Sequence, residues 1–277
     1  MEYNGKKGKF SGLLLCTDLD DTLLTSDKRV SEQNRNAAEY FKSEGGLFTF
    51  ATGRIPYGAK LMLEHIVPNC PMLCFNGAGI YDFEEDRLVW NMRLHEDKIK
   101  ILEFVEEKLP FTGIEICTAD KLYFSKTNEA VYEHKRHERL PDLFADYHDI
   151  DKNEEWVKVL LMQNENEIAQ VRSVIAGSEF NDRFDFIQSS PKYYEIIPKG
   201  ASKGNCLLRL ADMLGIKNEN VIAVGDNEND LSMIKAAGVG IAVANAIDSV
   251  LAAADIITVD NNSHALAAVV GRLDAGR

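Results

Sequence analysis

The chain has 277 residues, of which 45% are apolar and 27% charged, enough to bury a core and to form one large domain or two modest ones. Its net charge of −13 argues against nucleic acid as the main partner, since a phosphate backbone calls for a basic face. Small phosphorylated compounds stay admissible, because a metal ion and a few placed lysines reverse the sign locally. No stretch approaches the ~20 apolar residues of a spanning helix, so no membrane contact is expected. The short apolar run behind Lys6, Lys7 and Lys9 is cut off by Asp18 before it could act as a signal. Cys16, Cys70, Cys74, Cys117 and Cys206 are odd in number, and all but Cys70 have apolar surroundings. They read as reduced thiols, and the expected location is cytoplasmic.

Leu13-Leu14-Leu15-Cys16-Thr17 predicts a buried strand that ends in Asp18, Asp20 and Asp21. A turn over Thr25 to Lys28 leads to a capped helix from Ser31 to Phe41, closed near Gly45-Gly46. Leu47 to Ala51 is a second strand, ending in Thr52-Gly53-Arg54, and Pro56 opens a helix to about Ile66. Met72 to Phe75 is a third strand, followed by Asn76-Gly77-Ala78-Gly79. This alternation predicts a parallel sheet with right-handed crossovers.

From Ile80 the pattern changes. Ile80 to Asp82 and Arg87 to Trp90 suggest a hairpin, and His95 to Lys108 a helix. Strands are expected at Thr112 to Cys117, Leu122 to Ser125, Val157 to Met162, Arg183 to Gln188 and Tyr193 to Ile197. Helices are expected at Glu129 to Arg139 and Glu165 to Ala176. The parallel rhythm then returns, with helices at Ser202 to Leu214, Asn229 to Ala237, Ile247 to Ala253 and Ser263 to Leu273. They alternate with strands at Asn220 to Val224, Gly240 to Val243 and Ile256 to Thr258. The expected organisation is an α/β core of residues 1–81 and 192–277, with an α+β unit inserted over residues 82–191.

Asp18, Thr52 and Asp226 each follow the carboxyl end of a predicted parallel strand, where open α/β sheets bind ligands. Lys203 opens the helix before the third of these strands. Singly each is ordinary: an Asp past a strand caps a turn, Thr-Gly is a turn, and a first-turn lysine is solvated. Together, and in this order, they suit phosphoryl transfer. Asp18 would be the nucleophile and Asp20, two residues on and on the same side of an extended segment, the acid and base. Thr52 and the Gly53 amide, with Leu19, Lys203 and Asn229, would bind phosphoryl oxygens. Asp18 and Asp226 would hold Mg²⁺, with Asp230 orienting the metal site.

Asp18-Leu19-Asp20-Asp21-Thr22, Thr52, Lys203 and Gly225 through Asp230 resemble the four motifs of the haloacid dehalogenase superfamily of phosphatases. With Asn76-Gly77-Ala78 and Gly225 through Met233, the chain is similar to the Cof-type branch, whose insertion is a C2-type cap. The resemblance implies a Rossmann-like core and a Mg²⁺-dependent phosphohydrolase of small phosphorylated metabolites, acting through an aspartyl phosphate. It also implies that Asp20 gives the metal its backbone carbonyl. Asp21 stands where many members carry Gly, and is expected to face solvent or a backbone amide. For leaving-group contacts the candidates are Thr118-Ala119-Asp120-Lys121 and the basic run His134 to His137, the latter reading first as a solvated helix face. A phosphomutase and a non-catalytic metabolite-sensing regulator are the alternatives.

Overall fold

The computed structural model describes residues 7–62, 66–151 and 153–276. Lys6, and residues 63–65 through which the expected helix to Ile66 would pass, lie outside these ranges. In chain order the elements begin with β1 (Leu14–Thr17), α1 (Glu32–Ser43), β2 (Leu47–Phe50), α2 (Pro56–Met62), β3 (Met72–Cys74), β4 (Gly79–Asp82) and β5 (Arg87–Asn91). They continue with α3 (Lys98–Lys108), β6 (Gly113–Thr118), β7 (Leu122–Lys126), α4 (Glu129–His137), β8 (Trp156–Met162), α5 (Glu165–Ala176), β9 (Phe184–Ser190) and β10 (Tyr193–Pro198). The last are α6 (Lys203–Met213), β11 (Val221–Gly225), α7 (Leu231–Ala236), β12 (Val239–Ala242), α8 (Asp248–Ala253), β13 (Ile256–Ile257) and α9 (Ala265–Ala275). Among the described residues, no helix is long and apolar enough to cross a membrane.

The elements gather into two compact units, Met1–Val89 with Ser202–Arg277, and Trp90–Ala201. In the first, a sheet of order β13-β12-β11-β1-β2 is parallel throughout. Residues of β1, β2 and β11 are buried along their whole length, as strands covered on both faces are. Ser31 caps α1 by accepting from the Asn34 amide, which is why that helix starts where the sequence predicts. Ala51 bridges to Leu73, and β3 continues into a second sheet of order β3-β4-β5.

The second unit is an antiparallel sheet of order β7-β6-β8-β10-β9. Ile114, Ile116, Val159, Leu161 and Ile196 point to one face, where Ile101, Leu102 and Val105 of α3 and Ile168, Val171 and Ile175 of α5 complete a core. β10, expected with the core on the sequence boundary at residue 192, lies between β8 and β9 and ends the second unit's chain segment. The other end of the division, expected at residue 82, falls after Val89 because β4 and β5 continue the sheet begun by β3. Cys70 is buried like the other four cysteines, at 5% exposure, and all five are free thiols.

Candidate active site

Strand register sets the site. Thr17 lies opposite Phe50 on one side and Val224 on the other. The residues that follow, Asp18, Ala51 with Thr52, and Gly225 with Asp226, therefore emerge side by side at the carboxyl edge. The Asp18 amide still donates to Val224 O at 2.9 Å, so the nucleophile candidate is fixed by the last bond of the ladder.

Lys203, whose side chain has no exposure, joins the carboxylates. Its Nζ donates to Asp18 Oδ1 at 2.6 Å and to Asp230 Oδ1 at 2.5 Å. Asp230 Oδ2 accepts from the amides of Asp226 at 2.9 Å and Asn227 at 3.1 Å. Both oxygens of Asp230 are thus engaged by the protein. Gly225 makes this fold-back possible, because a Cβ there would stand 2.5 Å from Asp230 Cβ. Asp226 Oδ1 accepts from Thr22 Oγ1 at 2.6 Å.

These bonds use one oxygen each of Asp18 and Asp226. Ligand atoms of Asp18, Asp226 and Asp230 lie within 4.8 Å of one another, in buried surroundings. An all-oxygen donor set of this kind fits a hard divalent cation. The electrostatics agree. Burial pushes the Asp18 carboxyl well up, Lys203 pulls it back in part, and the charges of Asp230, Asp226 and Asp20 push it further. Burial and the Asp230 charge raise Asp226 to about 6 against the opposing Thr22 bond and Lys203. Burial alone would lower Lys203, but the charges of Asp18 and Asp230 and the bonds to them raise it, so the ammonium stays charged.

Asp20 is held differently. Arg54 Nε donates to its Oδ2 and Arg54 Nη2 to its Oδ1, both at 3.0 Å, and Lys28 Nζ lies 3.3 Å from Oδ1. Burial pushes its carboxyl up, but the Arg54 bonds and charge, with Lys28, outweigh this and hold it below the ordinary range. Asp21 is exposed, pairs with Lys28 at 3.3 Å and has φ of 58°.

Thr52 and Gly53 meet the rest of the site through Asn76. Thr52 Oγ1 accepts from the Arg54 amide at 3.1 Å, and its carbonyl accepts from the Asn76 amide at 3.1 Å. A Cβ on Gly53 would come 2.9 Å from the Asn76 carboxamide. Asn229 Nδ2 donates to Asn76 Oδ1 at 3.0 Å. Leu19 is a core side chain at 1% exposure, and its carbonyl accepts from the Leu24 amide at 2.8 Å, so its side chain offers a ligand no polar group.

Of the predicted residues, the structure brings Asp18, Lys203, Asp226 and Asp230 into direct contact, and joins Thr52, Gly53 and Asn229 around Asn76. Reasoning from sequence assigned no role to Arg54, Lys28, Asn76 or Thr22. Arg54 and Thr22 carried a signal, each lying inside a motif. Nothing local marked the carboxamides that grip the loop after β1, where Asn245 donates to Asp21 O at 2.8 Å, Asn34 to Leu23 O at 3.2 Å and Asn261 to Leu24 O at 3.0 Å. In the inserted unit, His134 is not part of a solvated helix face. It lies 3.3 Å from Glu115 and edge-on to Tyr193, with 14% side-chain exposure, while Arg136 and His137 are exposed.

The profile of the haloacid dehalogenase-like hydrolases matches residues 15–270. The chain is 31% identical to YxeH of Bacillus subtilis over 267 residues, covering 94% of this chain and 97% of that one. It is 28% identical to 5-amino-6-(5-phospho-D-ribitylamino)uracil phosphatase YcsE of the same organism, covering 90% of each. The crystal structure of a haloacid dehalogenase-like hydrolase from Bacteroides thetaiotaomicron superposes with a TM-score of 0.79 at 27% identity, covering 97% of this chain and 100% of that one. The motifs, the strand-end site and these likenesses agree: the chain belongs to the haloacid dehalogenase-like hydrolases, in their Cof-type phosphatase branch.

Proposed function

We propose that the protein is a Mg²⁺-dependent phosphohydrolase of small phosphorylated metabolites that works through an aspartyl phosphate on Asp18. The observation that carries this reading is the Lys203 bridge. It fixes Asp18 by one oxygen, at the edge of a parallel sheet and with carboxylate oxygens of Asp18, Asp226 and Asp230 within 4.8 Å of one another. The ribitylamino substrate in the name of YcsE favours a polyol or sugar phosphate, or a phosphorylated cofactor, as the substrate class.

Asp18 attacks phosphorus as the bond to the leaving oxygen breaks, and the leaving oxygen takes a proton from Asp20, which must first take one up from solvent because Arg54 and Lys28 hold it ionised in the free protein. Asp20 then takes a proton from water, whose oxygen attacks phosphorus, releasing inorganic phosphate and restoring the Asp18 carboxylate. Lys203, the Thr52 hydroxyl, the amides of Gly53 and Leu19, and Asn229 are assigned to the phosphoryl oxygens. The carboxylates of Asp18 and Asp226 and the Asp20 carbonyl would hold Mg²⁺, with Asp230 fixing the lysine and the loop amides beside them. When bound, Mg²⁺ neutralises charge on the phosphoryl group.

Asp18→Asn is the decisive variant. It is expected to lower phosphate release by on the order of 10⁴–10⁶-fold, with no phosphoenzyme on acid quench and an unchanged circular dichroism spectrum. Comparable turnover of p-nitrophenyl phosphate by this variant overturns the nucleophile assignment. Isomer formation from a hexose 1-phosphate in place of phosphate release points to a mutase.

A further inference from the structure

We propose that Arg54 is the positioning residue for Asp20, holding its carboxylate where it serves as acid and base; this inference rests on the phosphatase reading above. The contact is a fork on a fork, with Arg54 Nε on Oδ2 and Nη2 on Oδ1 at 3.0 Å each. Two parallel bonds fix the plane of a carboxylate as well as its distance, which one ammonium cannot do.

The fork is itself anchored. The Arg54 amide donates to Thr52 Oγ1 at 3.1 Å, and its carbonyl accepts from the Phe75 amide at 3.2 Å. Its side chain is 17% exposed, against 38% for Asp20, so arginine is the better-seated partner. Lys28, the other cation on Asp20, is 48% exposed and farther away at 3.3 Å. Asp20 needs such a guide. It sits in the turn that carries the chain out of β1, between Leu19 and a residue with left-handed backbone. A proton donor must lie within hydrogen-bond reach of the leaving oxygen, and small displacements of reacting groups are costly. The fork holds both oxygens of the ionised carboxylate, the form in which Asp20 acts as a base. Arg54 could instead bind substrate phosphate, but Nε and Nη2 are already directed at Asp20.

The test measures kcat and KM for Arg54→Gln and Arg54→Lys, each in the unaltered chain and in Asp20→Asn, on a sugar phosphate and on p-nitrophenyl phosphate. A sugar alkoxide needs a proton to leave, and p-nitrophenolate hardly does. If Arg54 acts through Asp20, Arg54→Gln lowers kcat/KM, which reads the step that expels the leaving group, by roughly 10²-fold on the sugar phosphate and by much less on p-nitrophenyl phosphate. In Asp20→Asn the added Arg54→Gln then changes kcat/KM by less than about twofold. Arg54→Lys recovers only part of the loss, because it keeps the charge without the fork. Equal losses of kcat/KM on both substrates and in both backgrounds, or a raised KM at unchanged kcat, overturn the inference and make Arg54 a phosphate ligand. Urea unfolding of each variant separates these results from loss of fold. An unaltered chain that releases no phosphate from any substrate removes the phosphatase reading, and the inference with it; turnover with additive losses removes the inference alone.

Discussion

Both units bury charge against a β-sheet, and they do it in opposite ways. In the first, Asp18, Asp226, Asp230 and Lys203 collect at the carboxyl ends of parallel strands, on backbone that is leaving the sheet. In the inserted unit, Glu115, Lys158 and Glu195 lie in mid-strand. Lys158 pairs with Glu195 at 3.3 Å, and Glu115 Oε2 has no hydrogen bond although His134 Nε2 is 3.3 Å away. Strand ends offer loop amides and a converging lysine, so one member, Asp230, is fully satisfied while oxygens on Asp18 and Asp226 stay open. A mid-strand carboxylate finds its backbone neighbours already used by the ladder and must rely on other side chains. The first arrangement is built to hold something; the second is a paired charge within a sheet.

Removing the lysine from each cluster tests that contrast most severely. Lys203→Met leaves Asp18 and Asp230 buried without their cation. It is expected to cost about 3–5 kcal/mol of stability and to lower turnover by at least about 10³-fold. Lys158→Met leaves Glu195 in similar difficulty and is expected to cost about 3 kcal/mol in urea unfolding, yet to keep kcat per folded molecule. If Lys158→Met silences turnover as Lys203→Met does, the buried charge of the inserted unit belongs to the chemistry and the contrast fails.

A metal-dependent stability difference sharpens the same comparison. The folded value of about 6 for Asp226 lies above that of an unfolded aspartate, so folding binds its proton more tightly. The stability this supplies is present in acid and is lost as pH rises through about 6. In EDTA the protein should therefore lose about 1.3 kcal/mol from this group between pH 5 and pH 7. Mg²⁺, which requires the ionised carboxylate, should restore the loss at pH 7 and raise Tm there. Asp226→Asn should remove the part of the pH dependence that Asp226 supplies and most of the Mg²⁺ shift, while the raised Asp18 carboxyl keeps its own part. A flat stability in EDTA from pH 5 to pH 7, or an equal Mg²⁺ shift in Asp226→Asn, would contradict the assignment of Asp226.

The strand-end cluster was legible because its parts are local. An apolar run that stops at a carboxylate, Thr52 after a second run, and Gly225-Asp226 after a third are each readable within a few residues, and parallel pairing does the rest. What was not legible depends on which distant chain comes alongside. Tyr193 to Pro198 has the pattern of a strand in either unit, and only its pairing with β8 and β9 decides. His134 sits in a run of basic residues that predicts solvent, but its place on α4 turns it toward Glu115. Arg54 lies 34 residues from Asp20, and no periodicity connects the two.

Asp21→Gly should have the smallest effect, and it separates the three carboxylates after β1 from one another. Asp21 has φ of 58° and ψ of 12°, a left-handed conformation that glycine takes without penalty and aspartate tolerates. Its side chain is 52% exposed and its pair with Lys28 spans 3.3 Å, a surface contact with a contribution of about 0–1 kcal/mol. Glycine adds freedom to the unfolded chain but relieves the backbone here, so the two changes largely offset each other. Its carbonyl, held by Asn245, is backbone and survives the change. Lys28 loses one carboxylate and keeps Asp20. Stability should stay within about 1 kcal/mol and kcat within about threefold of the unaltered chain. A loss of turnover approaching that of Asp18→Asn would mean that Asp21 reaches the metal or the phosphate. The strand-end cluster would then have one more open carboxylate than its geometry assigns.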